Sequence, residues 1–355
     1  MSEDFWSAQD TTPAAIEAAL REMLHKRYLA HEGFVPARVL NLVVIVDREW
    51  RGEIANRLDQ VGRYHASRTV LCSVDPGRST IDARATMSYE DIEPAPGQIA
   101  VCVENVEIDI GPQHLAGLDT IVDPLLVTDL VTVVWSPHGH AEGVDALMDL
   151  AHVVLLDSVE EPEPRAALDR VAELGESAYV VDLAWLRSTP WRERTSATFD
   201  PPQWRPALRH ISGVIVRHRP DSLASALLFV GWLSSRLGWQ CSLLHAHDGT
   251  YEGRLGGRRQ DVSVRLDASA QMSVPGLAGI TIETADGTSI SLDRGPGGLS
   301  AMRRLRDGAE QRWTVLGASR GEGGILGEGV RQALLRDPTY RPALDSARAM
   351  LPAGL

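Results

Sequence analysis

The 355-residue chain carries 35 Lys plus Arg against 48 Asp plus Glu, a formal net charge of −13. That length suggests two domains of roughly 150 residues, each able to bury its own core, and the acidic balance argues against a broad nucleic-acid or anionic-membrane surface. Lys26 is the only lysine, so Schiff-base, Walker-type or kinase-type lysine chemistry would have to use a residue that lies in a helical stretch with no glycine-rich loop before it.

Residues 13–30 place Ile16, Leu20, Met23, Leu24 and Tyr28 at helical spacing, predicting an amphipathic opening helix. The β-branched run 38–46 reads as a buried strand, 49–62 as a helix and 68–74 as a second strand. Strand–helix–strand order predicts a parallel pair with a crossover helix. Two alternating segments, 81–88 and 99–110, are joined by a Pro/Gly turn at 93–97, which predicts an antiparallel addition to the sheet. Helix 115–126, strand 131–135, helix 143–151 and strand 153–157 follow, then a helix over 166–176. The first half is thus an α/β domain with a mixed sheet, assigned to 1–189.

The stretch 190–207 contains four prolines and neither helical nor strand periodicity. Trp185, Trp191 and Trp204 lie in it or just before it. Large aromatics in irregular backbone generally pack on something, which predicts a docked crossover between domains. Strand 211–218 and the nearly all-apolar helix 222–237 open the second half. Asp221 or Ser222 is the expected N-cap, and Gly238 the stop. Strand-like segments near 240–246, 260–266, 278–284, 288–293 and 312–317 are separated by turns such as Asp286-Gly287. Helices over 325–335 and 342–350 close the chain. This half, 208–355, is an α+β domain with an antiparallel sheet and packed helices.

Cys72, Cys102 and Cys241 are widely spaced in apolar contexts and read as buried free thiols. No CxxC pair, no apolar leader and no bilayer-length apolar run is present, which predicts a cytoplasmic protein. Gly317-Ala-Ser-Arg-Gly321 fits the nucleophile-elbow pattern around Ser319. That arrangement needs a histidine after the serine, however, and the last histidine is His247. His138-Gly-His140 and His245-Ala-His247 could each put two imidazoles on one side of an extended chain, but nothing nearby completes a metal set. The glycine runs 295–298 and 321–329 match no phosphate-loop spacing, and hairpin tips and a helix entry account for them. RLGGRR at 254–259 reads as a basic turn. No catalytic set, cofactor site or metal site is expected.

Two segments stand apart. Arg68, ahead of the second strand, could meet an anion or a structural carboxylate. Residues 182–192 (DLAWLRSTPWR) concentrate two tryptophans, two arginines and a proline-fixed turn. Trp and Arg dominate interface hot spots because they combine large area with directed hydrogen bonds. Trp185, Arg187, Thr189, Trp191 and Arg192, with Arg68, are therefore the candidate partner- or ligand-binding residues. A second reading stays open: Arg68, Arg187 and Arg192 as ligands for a phosphosugar, either as substrate of an α/β enzyme or as effector.

DLAWLRSTPWR resembles the D-L-x-W-x-R-x-T-P-W-R signature of the OpcA family of glucose-6-phosphate dehydrogenase assembly proteins. HASRTVLCSV (65–74), TIVDPLLVTDLVTVVW (120–135), VGWLSSRLGW (230–239) and GEGVRQALLRDPTYRPAL (327–344) are similar to other stretches of that family in the same order. Ala66 and Thr132 stand where the family commonly has proline. The resemblance implies a non-catalytic protein that binds glucose-6-phosphate dehydrogenase and supports its oligomerisation or allosteric activity in the oxidative pentose phosphate pathway. The redox control associated with some members has no evident cysteine pair to act through.

Overall fold

The computed structural model of the chain describes residues 2–30, 36–62, 66–89, 100–269, 272–295, 298–316, 321–333 and 335–352. The chain divides into two compact units, each discontinuous in sequence. Unit 1 comprises Met1–Leu156, Glu176–Val181 and Leu326–Leu334; unit 2 comprises Asp157–Gly175, Asp182–Ile325 and Leu335–Leu355.

Unit 1 is built from β1 (Ser2–Ala8), α1 (Pro13–Ala30), β2 (Pro36–Ala37), β3 (Leu40–Asp47), α2 (Arg51–Gly62), β4 (Ser67–Val74), β5 (Asp82–Tyr89) and β6 (Ala100–Ile110). α3 (Leu118–Val122), β7 (Val131–Trp135), α4 (Ala141–Ala146) and β8 (Val153–Leu156) follow, and β9 (Tyr179–Asp182) comes after α5 (Pro164–Ser177), most of which belongs to unit 2. The sheet order is β1-β5-β6-β4-β3-β7-β8-β9, with β2 beside β6. β3 is parallel to both β4 and β7, so the expected crossover pair forms. β5 is antiparallel to β6, as the turn-linked pair predicts. Leu40 to Val46 are buried at every position, the mark of a central strand covered on both faces. This explains why its sequence is a run and not an alternation.

Three departures have local causes. The helix expected over 115–126 is broken into a 3-10 turn (Pro112–Gly117), α3 and a second 3-10 turn (Asp123–Leu125). Gly117 and Pro124 interrupt it, since glycine loosens the helix and proline removes a donor. β1 went unpredicted because an edge strand tolerates the charges of Glu3 and Asp4. β9 is only four residues, too short for a period to show.

Unit 2 holds α6 (Leu183–Arg187), α7 (Thr189–Phe199), β10 (Ile211–His218), α8 (Leu223–Leu237), β11 (His245–His247), β12 (Thr250–Leu255) and β13 (Val262–Ala268). β14 (Leu277–Thr284), β15 (Ser289–Gly295), β16 (Gly298–Arg304) and β17 (Glu310–Leu316) complete its sheet, ordered β11-β12-β13-β10-β14-β15-β16-β17. α10 (Tyr340–Ala349) follows, while most of α9 (Gly321–Ala333) belongs to unit 1. All neighbouring strands of this sheet are antiparallel except β10 with β13. Val214, Val216, Leu266, Ile280, Ile282 and Leu292 line the buried side of this sheet. α8 packs against β10, β13, α6 and α10, which is why it is apolar nearly all round. A Cβ at Gly231 would lie 2.2 Å from the Ala343 carbonyl oxygen, so the α8–α10 approach depends on glycine there.

The stretch expected as an irregular crossover at 190–207 is instead helical over Thr189–Phe199 and 3-10 over Arg205–His210. Pro190 sits in the first helical turn, where its missing N–H costs nothing. The buried face of α7 is Trp191, Arg192, Thr195, Thr198 and Phe199. That face has helical spacing but little aliphatic content, so the pattern was hidden. The aromatics do pack: Trp191 is buried, and the Arg303 guanidinium carbon lies 3.8 Å from the Trp204 ring centre. Arg254 and Leu255, expected in a turn, belong to β12, and the 321–329 glycines lie in α9. Ser222 occupies the N-cap position of α8 without capping it. Its hydroxyl donates to Asp221 and accepts from Gly276 N–H at 2.9 Å. Gly238 ends α8 with φ 70°, as expected.

Candidate functional site

The signature segment folds into two short helices set nearly end to end. Asp182 starts the first: its Oδ1 accepts the Ala184 N–H at 2.9 Å. Ser188 separates α6 from α7, and its hydroxyl donates to the Trp185 carbonyl at 2.7 Å. Arg192, one turn into α7, folds back over this junction. Its guanidinium carbon stands 3.4 Å from the Trp185 ring centre, a stacked cation–π contact. Its nitrogens donate to Ser188 Oγ (3.1 Å), Thr189 Oγ1 (2.9 Å) and the Trp185 carbonyl (3.3 Å).

Asp337 closes the arrangement from the far end of the sequence. Its Oδ2 accepts Trp185 Nε1–H at 2.9 Å and stands 3.5 Å from Arg192 Nη1. Its Oδ1 accepts the Thr339 amide and hydroxyl at 2.9 and 2.7 Å. Burial works against its charge, but the Thr339 donors, Trp185 and the Arg192 cation outweigh that and hold its pKa below the ordinary value. Arg192 is pulled down to about 10 by burial, opposed by Asp337, and stays charged at neutral pH. Trp185 and Arg192 are 2% and 8% exposed, so these groups are core and not surface.

A second buried acid lies beside the first helix. Asp182 Oδ1 also accepts the Ser158 N–H at 3.1 Å, and Oδ2 accepts the Tyr340 hydroxyl at 3.0 Å. Tyr340 packs against Trp185 in a tilted contact with ring centres 5.2 Å apart. Burial first, then the neighbouring Asp157, pushes Asp182 up to about 6. Asp157 is itself paired with Arg187, Nη1 to Oδ2, at 2.6 Å. The segments 182–192 and 337–340 therefore clasp one another through Asp182, Trp185 and Arg192, whereas Arg187 pairs with Asp157, Thr189 with Arg192, and Trp191 is buried with Arg294 5.9 Å from its ring centre. Asp157, Asp337 and Tyr340 were not singled out from sequence, although the D-P-T-Y string carrying two of them was part of the resemblance.

Arg68 is in unit 1 and is also buried. Its Nε donates to Glu104 Oε2 at 2.6 Å and its Nη1 to the Leu125 carbonyl at 2.9 Å. Arg38 donates to the other oxygen of the fully buried Glu104. Asn41 holds the same loop, exchanging two 3.0 Å bonds with the Val127 backbone. The S-R-T strand and the P-L-L-V loop are thus fastened to each other. Arg68, Arg187 and Arg192 each face an internal carboxylate, which leaves the expected anion ligands neutralised within the fold.

The other candidates are placed separately. His138 packs against Trp50 in a tilted contact, ring centres 5.4 Å apart, while His140 Nε2 stands 3.2 Å from Asp47 Oδ1. His245 and His247 are exposed on β11. Among the described residues, no group of three His, Cys, Asp or Glu could hold a metal. Cys72 is buried and its thiol is pushed up to about 12 by desolvation; burial also raises the part-buried Cys241, while Cys102 lies in β6. Ser319, His65 and the turn at 93–97 lie outside the described residues. No helix among the described residues is long and apolar enough to cross a membrane.

A mixed α/β unit and a mostly antiparallel α+β unit, each pinned by buried Arg–carboxylate clasps between distant segments, define a two-part protein whose recognisable strings build its scaffold. Residues 58–173 match the family model for the glucose-6-phosphate dehydrogenase subunit N-terminal domain, and residues 178–344 match that for the C-terminal domain. The chain belongs to this OpcA family. It is 27% identical over 243 residues to a Synechococcus elongatus protein named "Putative OxPP cycle protein OpcA", covering 67% of this chain and 52% of that one. A Nostoc punctiforme protein of the same name is 30% identical over 169 residues, 46% of this chain and 36% of that one. The chain spans about half the length, or less, of the curated relatives it matches. Among solved structures, apo scyllo-inositol dehydrogenase from Lactobacillus casei aligns at 10% identity with a TM-score of 0.43, over 89% of this chain and 96% of that one.

Proposed function

We propose that the chain is a non-catalytic subunit that binds glucose-6-phosphate dehydrogenase and supports its assembly or activity in the oxidative pentose phosphate cycle. The observation that carries this reading is the paired match to the two subunit-domain models over residues 58–344, in the order expected of one protein. The site chemistry supports it. The arginines and acids of the signature segment face one another, and a buried clasp is suited to holding shape, not to turning over a substrate.

Within this reading Trp185, Arg187, Thr189, Trp191 and Arg192 are organising residues of the two-helix segment, and Arg68 of the first unit. They act on a partner through the surfaces they hold in place. Mixing the purified chain with the dehydrogenase and following size-exclusion elution together with NADPH production tests the function. Co-elution with a changed rate or substrate affinity is expected; separate elution with unchanged kinetics would sink it. Trp191→Ala leaving both the fold and the association untouched would remove the organising role.

A further inference from the structure

The exposed side of the unit 2 sheet has features of an interface, and they follow from its register. Ile215 on β10 is paired with Arg265 on β13 and Thr281 on β14; Thr281 with Ser291; Ser291 with Met302; and Met302 with Arg312. Residues paired across a ladder point to the same side, so these form one row over six strands. The rows above and below behave alike. Apart from Gly213 and Gly279, the residues of these rows are exposed or half-buried, so no described element of unit 2 covers this side.

The face is low in relief. A Cβ at Gly279 would lie 2.3 Å from Asp293 Oδ1 and 2.5 Å from Arg217 Nη2. The Arg217–Asp293 ion pair, at 2.6 Å, therefore lies flat across that glycine. Gly213 makes the same room for Glu283, whose Oε2 would stand 2.8 Å from a Cβ there. Thr281, Ser291, Ser289 and Ser300 fill much of the rest with short side chains. A sheet side meant only for water has no need of glycines beneath its ion pairs, whereas a second flat layer does.

The face is also neutral. Arg265 pairs with Asp267 and Glu252, and Arg304 and Arg312 pair with Glu310. With Arg217–Asp293, and with Arg254 and Glu283 added, five arginines meet five acids, in a chain whose overall count is 35 to 48. Two copies at net −13 repel generally, and a neutral face is where they can approach. The β10–β13 half carries three of the arginines and two of the acids; the β14–β17 half carries the reverse. A two-fold axis parallel to the strands lays each half on the opposite half of its mate, the self-complementary condition for an isologous dimer.

The size suffices. Eight strands at about 4.8 Å spacing and roughly 20 Å of strand length give about 800 Å². That equals the area each partner contributes to a standard interface. We propose that this chain forms a two-fold dimer through the open face of its second sheet, with a second copy as the occupant. The proposal does not depend on the dehydrogenase reading.

Sedimentation equilibrium of the full chain over a hundredfold concentration range tests it. The wild type should move from 38.7 kDa toward twice that mass. Thr281→Arg and Ile215→Glu, of opposite sign at the centre of the face, should each weaken dimerisation at least tenfold, while the exposed Ala116→Arg in unit 1 should not. Far-UV circular dichroism and a cooperative melt must match wild type for each variant. If a variant does not fold, arginine-directed labelling of wild type decides: Arg254, Arg265 and Arg312 should lose reactivity as the dimer forms, while Arg21 keeps it. A wild type that stays monomeric, or a dimer indifferent to both variants and to labelling, overturns the proposal. So does a monomer that loses dehydrogenase binding in both variants, because the face then serves that partner.

Discussion

Asp337→Ala probes the clasp that joins the two signature segments. The substitution strips Trp185 Nε1 of its acceptor and leaves Arg192 buried against an aromatic ring without its counter-charge. Breaking a buried ion pair from one side costs about 3–5 kcal/mol. Asp337 is 27% exposed in its side chain and the Arg192 contact is 3.5 Å, so the lower end, about 3 kcal/mol, applies. For a unit of this size that is roughly a 6–12 °C fall in Tm. Asp337→Asn sharpens the test. The carboxylate spends one oxygen on Thr339 and the other on Trp185 and Arg192. An amide has only one oxygen, and its NH2 must then face either the Thr339 donors or the Trp185 and Arg192 donors. Asparagine should therefore recover less than half of the loss. Urea titration followed by tryptophan fluorescence and by circular dichroism measures both variants. An alanine variant within 0.5 kcal/mol of wild type, or full recovery by asparagine, would refute the reasoning.

Other perturbations have equally definite outcomes. Because Asp182 is raised from 3.8 to about 6, the folded state holds its proton more tightly than the unfolded chain, so its contribution is full below pH ~4 and lost as pH rises through ~6. Wild type should lose about 2 kcal/mol relative to Asp182→Asn between pH 4 and pH 7, at 1.36 kcal/mol per unit of pKa difference; parallel urea midpoints at both pH values would show this account to be wrong. Glu104→Gln leaves Arg38 and Arg68 sharing a neutral amide, and should cost about 3–5 kcal/mol in chemical denaturation; a loss below 1 kcal/mol would mean the arginines find water. Gly231→Ala drives a methyl into the Ala343 carbonyl and should cost about 3 kcal/mol or abolish soluble expression, whereas Gly308→Ala, at a positive φ with no atom within 4 Å, should cost about 1 kcal/mol by thermal melt.

Elements whose residues repeat a simple period were legible from the chain. β3 and β4 announce themselves as apolar runs, α8 as an apolar helix stopped by Gly238, and the β14–β15 hairpin by Asp286-Gly287. The two-helix segment was not legible. Its buried face uses Trp, Arg and Thr, which signal loop or surface until their partners are known, and those partners are Asp157, Asp337 and Tyr340, some 30 to 150 residues away by the sequence numbers. The same strings that identify the family therefore conceal their own structure, because they are specified by contacts and not by propensity.

The sequence by itself determined most of the element order, the mixed sheet followed by a mostly antiparallel one, and the family, since periodicity and residue strings are local properties of a chain. Only the tertiary structure decided that the arginines face inward. Burial, and the acid that meets each arginine, are long-range facts: Arg68 finds Glu104, Arg187 finds Asp157 and Arg192 finds Asp337. The lysine-poor, acidic composition gains a physical meaning there. A planar guanidinium can stack and donate in several directions inside a core, and that is how this chain uses Arg68, Arg187 and Arg192.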